Sequence, residues 1–290
     1  MKRISTLCIL LCTMMAGFAQ TDSTGKTQTP QGDTIRIGGM VIIRKAGKNQ
    51  KESDKEYTIR KRRTTKPSNV STNWWIFDVG YSNFSDKTNY SSVEAQSYAT
   101  GSDKTWFDLR EGKSRNVNVW IFMQKLNIAK HVVNLKYGLG LELNNYMYEN
   151  SIRYIKTPAP GVYSPRIEMV GLMPEVHEKK NKLAADYLTV PLMLNFNFTP
   201  NRKDGFGFSA GISAGYLYSA RNKFVLDGGE KDKEKTKVKD DFELERWKLA
   251  YIAELSLGPV RFYGSYATKT MYERGLDMTP YSFGFRFSNW

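Results

Sequence analysis

Strict two-residue alternation of apolar and polar side chains, long and short connections that take turns along the chain, and an export segment at the start together predict an all-β protein: a transmembrane antiparallel up-and-down β-barrel of about eight strands, preceded by a flexible N-terminal tail. The export segment is the first element. Lys2 and Arg3 are followed by the apolar stretch Leu7 to Met15, and then by Ala16-Gly17-Phe18-Ala19 before Gln20. Small residues at Gly17 and Ala19 fit cleavage after Ala19, and the apolar core is shorter than a membrane-spanning helix needs, so residues 1–19 are expected to be a signal peptide. Both cysteines, Cys8 and Cys12, fall within it, which leaves the exported chain without a thiol, disulfide or cysteine metal site.

Residues 20–72 are rich in Thr, Gly, Gln, Lys and Arg and poor in aromatics, a composition that buries too little apolar area to offset chain entropy. They are expected to form a flexible periplasmic tail, in which Thr34 to Ile43 could make one short strand or hairpin around Gly38 and Gly39. The barrel is expected over residues 73–290.

Its strands announce themselves by parity. Trp75, Phe77, Val79 and Tyr81 oppose Ile76, Asp78 and Gly80; Val117, Val119, Ile121 and Met123 oppose Asn116, Asn118, Trp120 and Gln124. The clearest run sets Val133, Leu135, Tyr137, Leu139, Leu141 and Leu143 against Asn134, Lys136, Gly138, Gly140, Glu142 and Asn144. Further alternating strands run over 188–198, 206–216, 247–257, 260–267 and 281–288, with Pro191 predicting an irregularity because it offers no ladder donor. The apolar parity is large and aromatic, while the other is mostly Gly, Ser, Asn and single charges. A soluble barrel would have to pack all the large side chains inside, more than a small closed barrel holds; turned outward into lipid they fit.

Connections at 83–114, 146–182 and 219–241 are long, those near 125–131, 200–204 and 258–259 are short, and 268–278 is intermediate. In an up-and-down barrel this places short turns at one rim and long loops at the other, with both termini at the periplasmic, short-turn rim. On the inward parity Asp78, Glu142 and Glu254 are opposite in sign to Lys136, Arg261 and Arg286. They are expected to form a charge network that plugs the lumen, since an unpaired charge in a narrow barrel is costly. Trp74, Trp75, Tyr146, Tyr148, Tyr216, Tyr218, Trp247, Tyr272 and Tyr281 are expected in interfacial girdles, and the mixed-charge segment 227–235 as a mobile exposed loop.

The ending Phe18-Ala19-Gln20, the segment Gly32-Asp33-Thr34-Ile35-Arg36-Ile37-Gly38, and glycine-rich strands such as 136–141 and 208–215 resemble the PorT-like outer-membrane β-barrel proteins of Bacteroidetes. The resemblance implies fold and location, and allows an accessory role in secretion or gliding; Trp290, out of step with Phe283, Phe285 and Phe287, departs from the usual terminal assembly signal.

No cofactor, metal site or catalytic group is expected: His131 and His177 have no partner at a useful spacing, and no phosphate-binding glycine loop or carboxylate pair stands out. The formal charge of +14 becomes +12 without Lys2 and Arg3, and much of the excess lies in the tail. Export removes nucleic acid as a partner, so the expected partners are outer-membrane lipid and, through the tail, periplasmic or envelope proteins. The leading expectation is a structural or interaction protein; the alternative is a narrow pore.

Overall fold

The computed structural model describes residues 34–37, 40–44, 57–61, 68–110, 112–156, 165–171, 177–200, 205–227 and 233–288. The predicted signal peptide lies outside them. The chain divides into two units, 1–66 and 67–290. In the first, β1 (Thr34–Ile37), β2 (Met40–Arg44) and β3 (Tyr57–Lys61) form a three-stranded antiparallel sheet in that order. The expected hairpin is there, and Tyr57-Thr58-Ile59 extends it with a strand that the reading of this stretch as a flexible tail did not include.

The second unit contains the barrel. Eight strands close a ring, β4 (Val70–Asp86), β5 (Arg115–Ala129), β6 (Val133–Met147), β9 (His177–Asn197), β10 (Phe206–Asp227), β12 (Trp247–Leu257), β13 (Val260–Ala267) and β14 (Met278–Phe287), each antiparallel to the next and β14 back to β4. Between them lie α1 (Val93–Tyr98), the hairpin β7 (Ile152–Tyr154) with β8 (Ile167–Met169), and β11 (Lys233–Lys239), which pairs with the far end of β10. No helix among the described residues is long and apolar enough to cross a membrane, a test that does not bear on strands.

Parity decides which side chains face outward. Leu188, Val190, Leu192, Leu194 and Phe196 of β9 are exposed while Thr189, Met193 and Asn195 are buried, and the same division runs round the ring. Closure removes the sheet edges and tilts the strands by about 35–45°, so roughly ten residues cross the apolar layer. Short connections close one end. Gly258, at φ +64°, opens the two-residue turn between Leu257 and Val260, where a left-handed residue matches the strand twist.

The irregularity predicted at Pro191 falls elsewhere. Pro191 keeps the β9–β10 register, opposite Ser213, and the β6–β9 register is the same on both sides of it. Register shifts lie instead between Asn127 and Ala129 of β5, between Leu217 and Ser219 and between Val225 and Leu226 of β10, and on β5 at Ile121, opposite Trp75 of β4, whose φ is +57°. Past this point both strands exchange faces: Trp74 and Trp75 are both exposed, Phe122 pairs with Trp74 on the outside, and Met123, expected outward, is fully buried.

Glycine makes room inside. Tyr263, Gly284, Gly80 and Asn116 lie in one row across four strands, and the Tyr263 hydroxyl reaches over both glycines to donate to Asn116 Oδ1 at 2.6 Å. A Cβ on Gly80 would stand 2.6 Å from that hydroxyl.

Candidate functional site: the lumen and its loop cap

The lumen is narrow enough for its own side chains to fill it. Four of the six predicted charges meet in one cluster. Arg286 donates through Nε and Nη2 to the two oxygens of Asp78, both at 2.7 Å, and through Nη1 to Glu254 Oε2 at 2.5 Å; Lys136 Nζ donates to the same Glu254 oxygen at 2.7 Å. Asp78 also accepts from Trp120 Nε1 at 2.7 Å and Asn118 Nδ2 at 3.1 Å. The guanidinium of Arg286 lies 5.5 Å from the Trp120 ring and 6.0 Å from that of Tyr263.

The other two predicted residues are placed apart from this cluster. Glu142 pairs with Lys248 and accepts from Asn144 at 3.0 Å, nearer the loop end. Arg261 lies near the turn end and donates to the Ser288 carbonyl at 2.6 Å and to its hydroxyl. Lys248 was not among the predicted residues although it stands on the inward parity of its strand; Trp120, Tyr263 and the Asn116–Asn118–Asn144 ladder were also missed as members of the network. Within the lumen a cavity of about 20 Å³ beside Trp120, Met193 and Arg286 offers room for about one water. A second, of about 110 Å³, opens at the turn end between Lys125, Lys136, Asn195, Glu254 and Arg261.

The loop end is closed by a second core. All four connections at that end contribute: Tyr98 and Phe107 from the first, Tyr148, Ile152, Tyr154 and Ile167 from the second, Phe242 and Leu244 from the third, Met271, Tyr272 and Leu276 from the fourth. They pack on Tyr146, Tyr187 and Leu217, inward residues at the strand ends, so the core sits in the barrel mouth. Tyr146, Tyr148 and Tyr272, expected in the girdles, are therefore at most 2 % exposed here, whereas Trp74, Trp75, Tyr216, Tyr218 and Trp247 do face outward. Of segment 227–235, expected as a loop, Asp227 ends β10 and Lys233 to Lys235 begin β11, while 228–232 lie outside the described residues.

Hydrogen bonds stitch the four connections together. Tyr154 Oη lies 2.7 Å from Tyr148 Oη and 2.6 Å from Tyr272 Oη, and burial pushes the Tyr148 hydroxyl up to about 12. Tyr98 Oη donates to the Phe242 carbonyl at 2.7 Å, which helps hold Phe242 at φ +51°, a conformation that a bulky side chain rarely adopts. Glu243, also at positive φ, joins Arg166 at 2.5 Å and Arg274 at 2.6 Å.

Burial alone would raise the Glu243 carboxyl, but the hydrogen bonds from Arg274 and Arg166 outweigh it and hold the group below its ordinary range. A lowered folded value means stability that is present above the unfolded pKa, about 4.3, and lost as pH falls through the folded one. Hydrogen exchange over residues 242–246, corrected for intrinsic rates, should therefore be faster at pH 3 than at pH 6. In Glu243→Gln that difference should vanish; if it persists, another group controls the cap.

A family model for the outer membrane protein beta-barrel domain matches residues 89–268, well over half of the 290-residue chain. The chain belongs to this family. As an outer-membrane barrel it contributes two strands beyond the matched range, β4 and β14, and these close the ring. No curated protein matches it. One solved structure, of "Asymmetric conductivity of engineered proteins", aligns over 76 % of this barrel protein and 99 % of its own chain at 10 % identity, with a TM-score of 0.17, too low to carry an argument.

Proposed function

We propose that this outer-membrane barrel has a closed lumen and works through its surfaces, as a non-enzymatic structural and interaction protein of the cell envelope. The observation that carries the reading is the cross-barrel cluster Asp78–Arg286–Glu254–Lys136, whose charges are at most 7 % exposed and satisfy one another. A conducting pore needs charges that face water; here they face each other, and the cap core stands above them. The short-turn rim and both termini are taken to be periplasmic, with residues 1–19 removed on export and the basic segment 20–72 held under the membrane, where envelope proteins or anionic lipid can meet it. On its pattern of residues the chain resembles the PorT-like barrels of Bacteroidetes.

The test is electrical. The purified chain, shown to be folded by a mobility difference between unboiled and boiled samples on gels, should insert into planar bilayers without single-channel steps. Discrete steps in 1 M salt would reject the closed lumen and favour a narrow pore.

A further inference from the structure

Beyond the ring, β9 and β10 continue together and β11 joins them in a three-stranded extension. One face of it packs on the cap: Asn181, Leu183 and Asn222 are fully buried, and Val238 lies against the aromatic core. The opposite face continues the lipid-facing side of the wall. Across it Lys182, Lys223 and Lys237 lie in one row, Arg221 stands opposite Lys239 in the next, and Lys180 stands opposite Val225 on the other side.

Like charges directly opposite one another destabilise a sheet, and their crowding lowers two of the lysines. Burial first, and then Lys180, Arg221 and Lys223, bring Lys182 down to about 8. Lys237 is lowered mainly by Lys239. Two carboxylates flank the face, Asp186 at its base, paired with Arg221 at 2.7 Å, and Asp227 at its tip, paired with Lys179. Lysines that guard an exposed sheet edge would explain β11. They do not explain Lys223, which is on the central strand.

The position of this face supplies the rest. Tyr216, Tyr218 and Trp247 are exposed just below it, with the Tyr216 and Trp247 rings 5.0 Å apart, as in an interfacial aromatic belt. Tyr218 is the extra residue at the register shift between Leu217 and Ser219, which keeps it on the same face as Arg221, two residues beyond Ser219 or roughly 7 Å along the strand. Between belt and lysines, where β10 changes partner from β12 to β11, a groove of about 400 Å³ is lined by Tyr216, Tyr218, Lys239, Asp240, Asp241 and Arg246.

We propose that Lys180, Lys182, Arg221, Lys223, Lys237 and Lys239 bind the phosphate groups of phosphorylated glycolipid headgroups in the outer leaflet, with the groove beneath them receiving the sugar. A lipid source fits better than a soluble polyanion because the cations stand directly above apolar, lipid-facing wall. The inference rests on the reading that the long-loop end faces outward.

The test uses the full exported chain in detergent, with native mass spectrometry to count retained lipid. Bisphosphorylated lipid A should be retained at least tenfold more than its dephosphorylated form. The triple variant Lys180→Gln, Lys223→Gln, Lys237→Gln should lose that preference, and the Lys→Arg triple should keep it, both with wild-type gel mobility. Equal retention of the two lipids, full retention by the Gln triple, or equally tight binding of inorganic polyphosphate would overturn the proposal. Lys235→Cys on intact cells separates it from the reading beneath it. Labelling by an impermeant maleimide without phosphate-dependent retention defeats this inference alone, whereas labelling only after permeabilisation reverses the orientation and takes the inference with it.

Discussion

Arg286→Met is expected to destabilise the barrel by about 3–5 kcal/mol, because it removes the cation that holds two buried carboxylates. Asp78 would keep only the neutral donors of Trp120 and Asn118, and Glu254 would keep Lys136. Lysine at this position should recover part of the loss: it restores the charge but lacks the fork that reaches Asp78 through two nitrogens and Glu254 through a third. The decisive comparison is Asp78→Asn combined with Arg286→Met. If the cost of the single change is an orphaned buried charge, the pair should regain at least half of it, since a neutral, well-filled interior is often no less stable than an ion pair. Urea unfolding in vesicles, followed by gel mobility, measures all three variants. A double variant as unstable as Arg286→Met would mean that the arginine acts by filling space between Trp120 and Tyr263.

The reason this cluster could be read from the sequence is that a barrel wall converts parity directly into inside and outside. Asp78, Lys136, Glu254 and Arg286 are single charges amid Gly, Ser and Asn on a face whose other side is Phe, Tyr and Leu. Parity does not report height or angle round the ring, so it could not tell that Glu142 would find Lys248 or that Arg261 would sit apart with Ser288. Nor does it survive a bulge. Ile121 and Trp75 are as apolar as their neighbours, and nothing in their composition marks the place where Met123 turns inward. The long connections were the least legible part. Tyr146, Tyr148 and Tyr272 have the same composition whether they ring a membrane interface or fill a core, and the choice depends on contacts between loops more than a hundred residues apart in sequence, such as Tyr154 with Tyr272.

Tyr154→Ala should open the cap and leave the barrel closed. Its ring packs 5.2 Å from that of Phe242, and its hydroxyl joins those of Tyr148 and Tyr272, so truncation removes a large buried side chain and the hydrogen-bond partner that two buried hydroxyls share. The local cost is about 3–5 kcal/mol. Tyr154→Phe keeps the ring and loses only the hydroxyl links, for about 1–3 kcal/mol. Trypsin should then cut the Ala variant rapidly at loop sites such as Arg166 and Arg274, cut the Phe variant more slowly, and spare the ring strands in both. Conductance should not change in either variant, because the Asp78–Arg286–Glu254–Lys136 layer lies beneath the cap and is held by its own ion pairs, which involve none of the loop residues. If Tyr154→Ala lets ions through, the seal belongs to the loops and the charged layer is only a lining; if protease opens the cap and the bilayer stays silent, the seal is the layer itself, and the cap is left free to serve as a rigid outer surface.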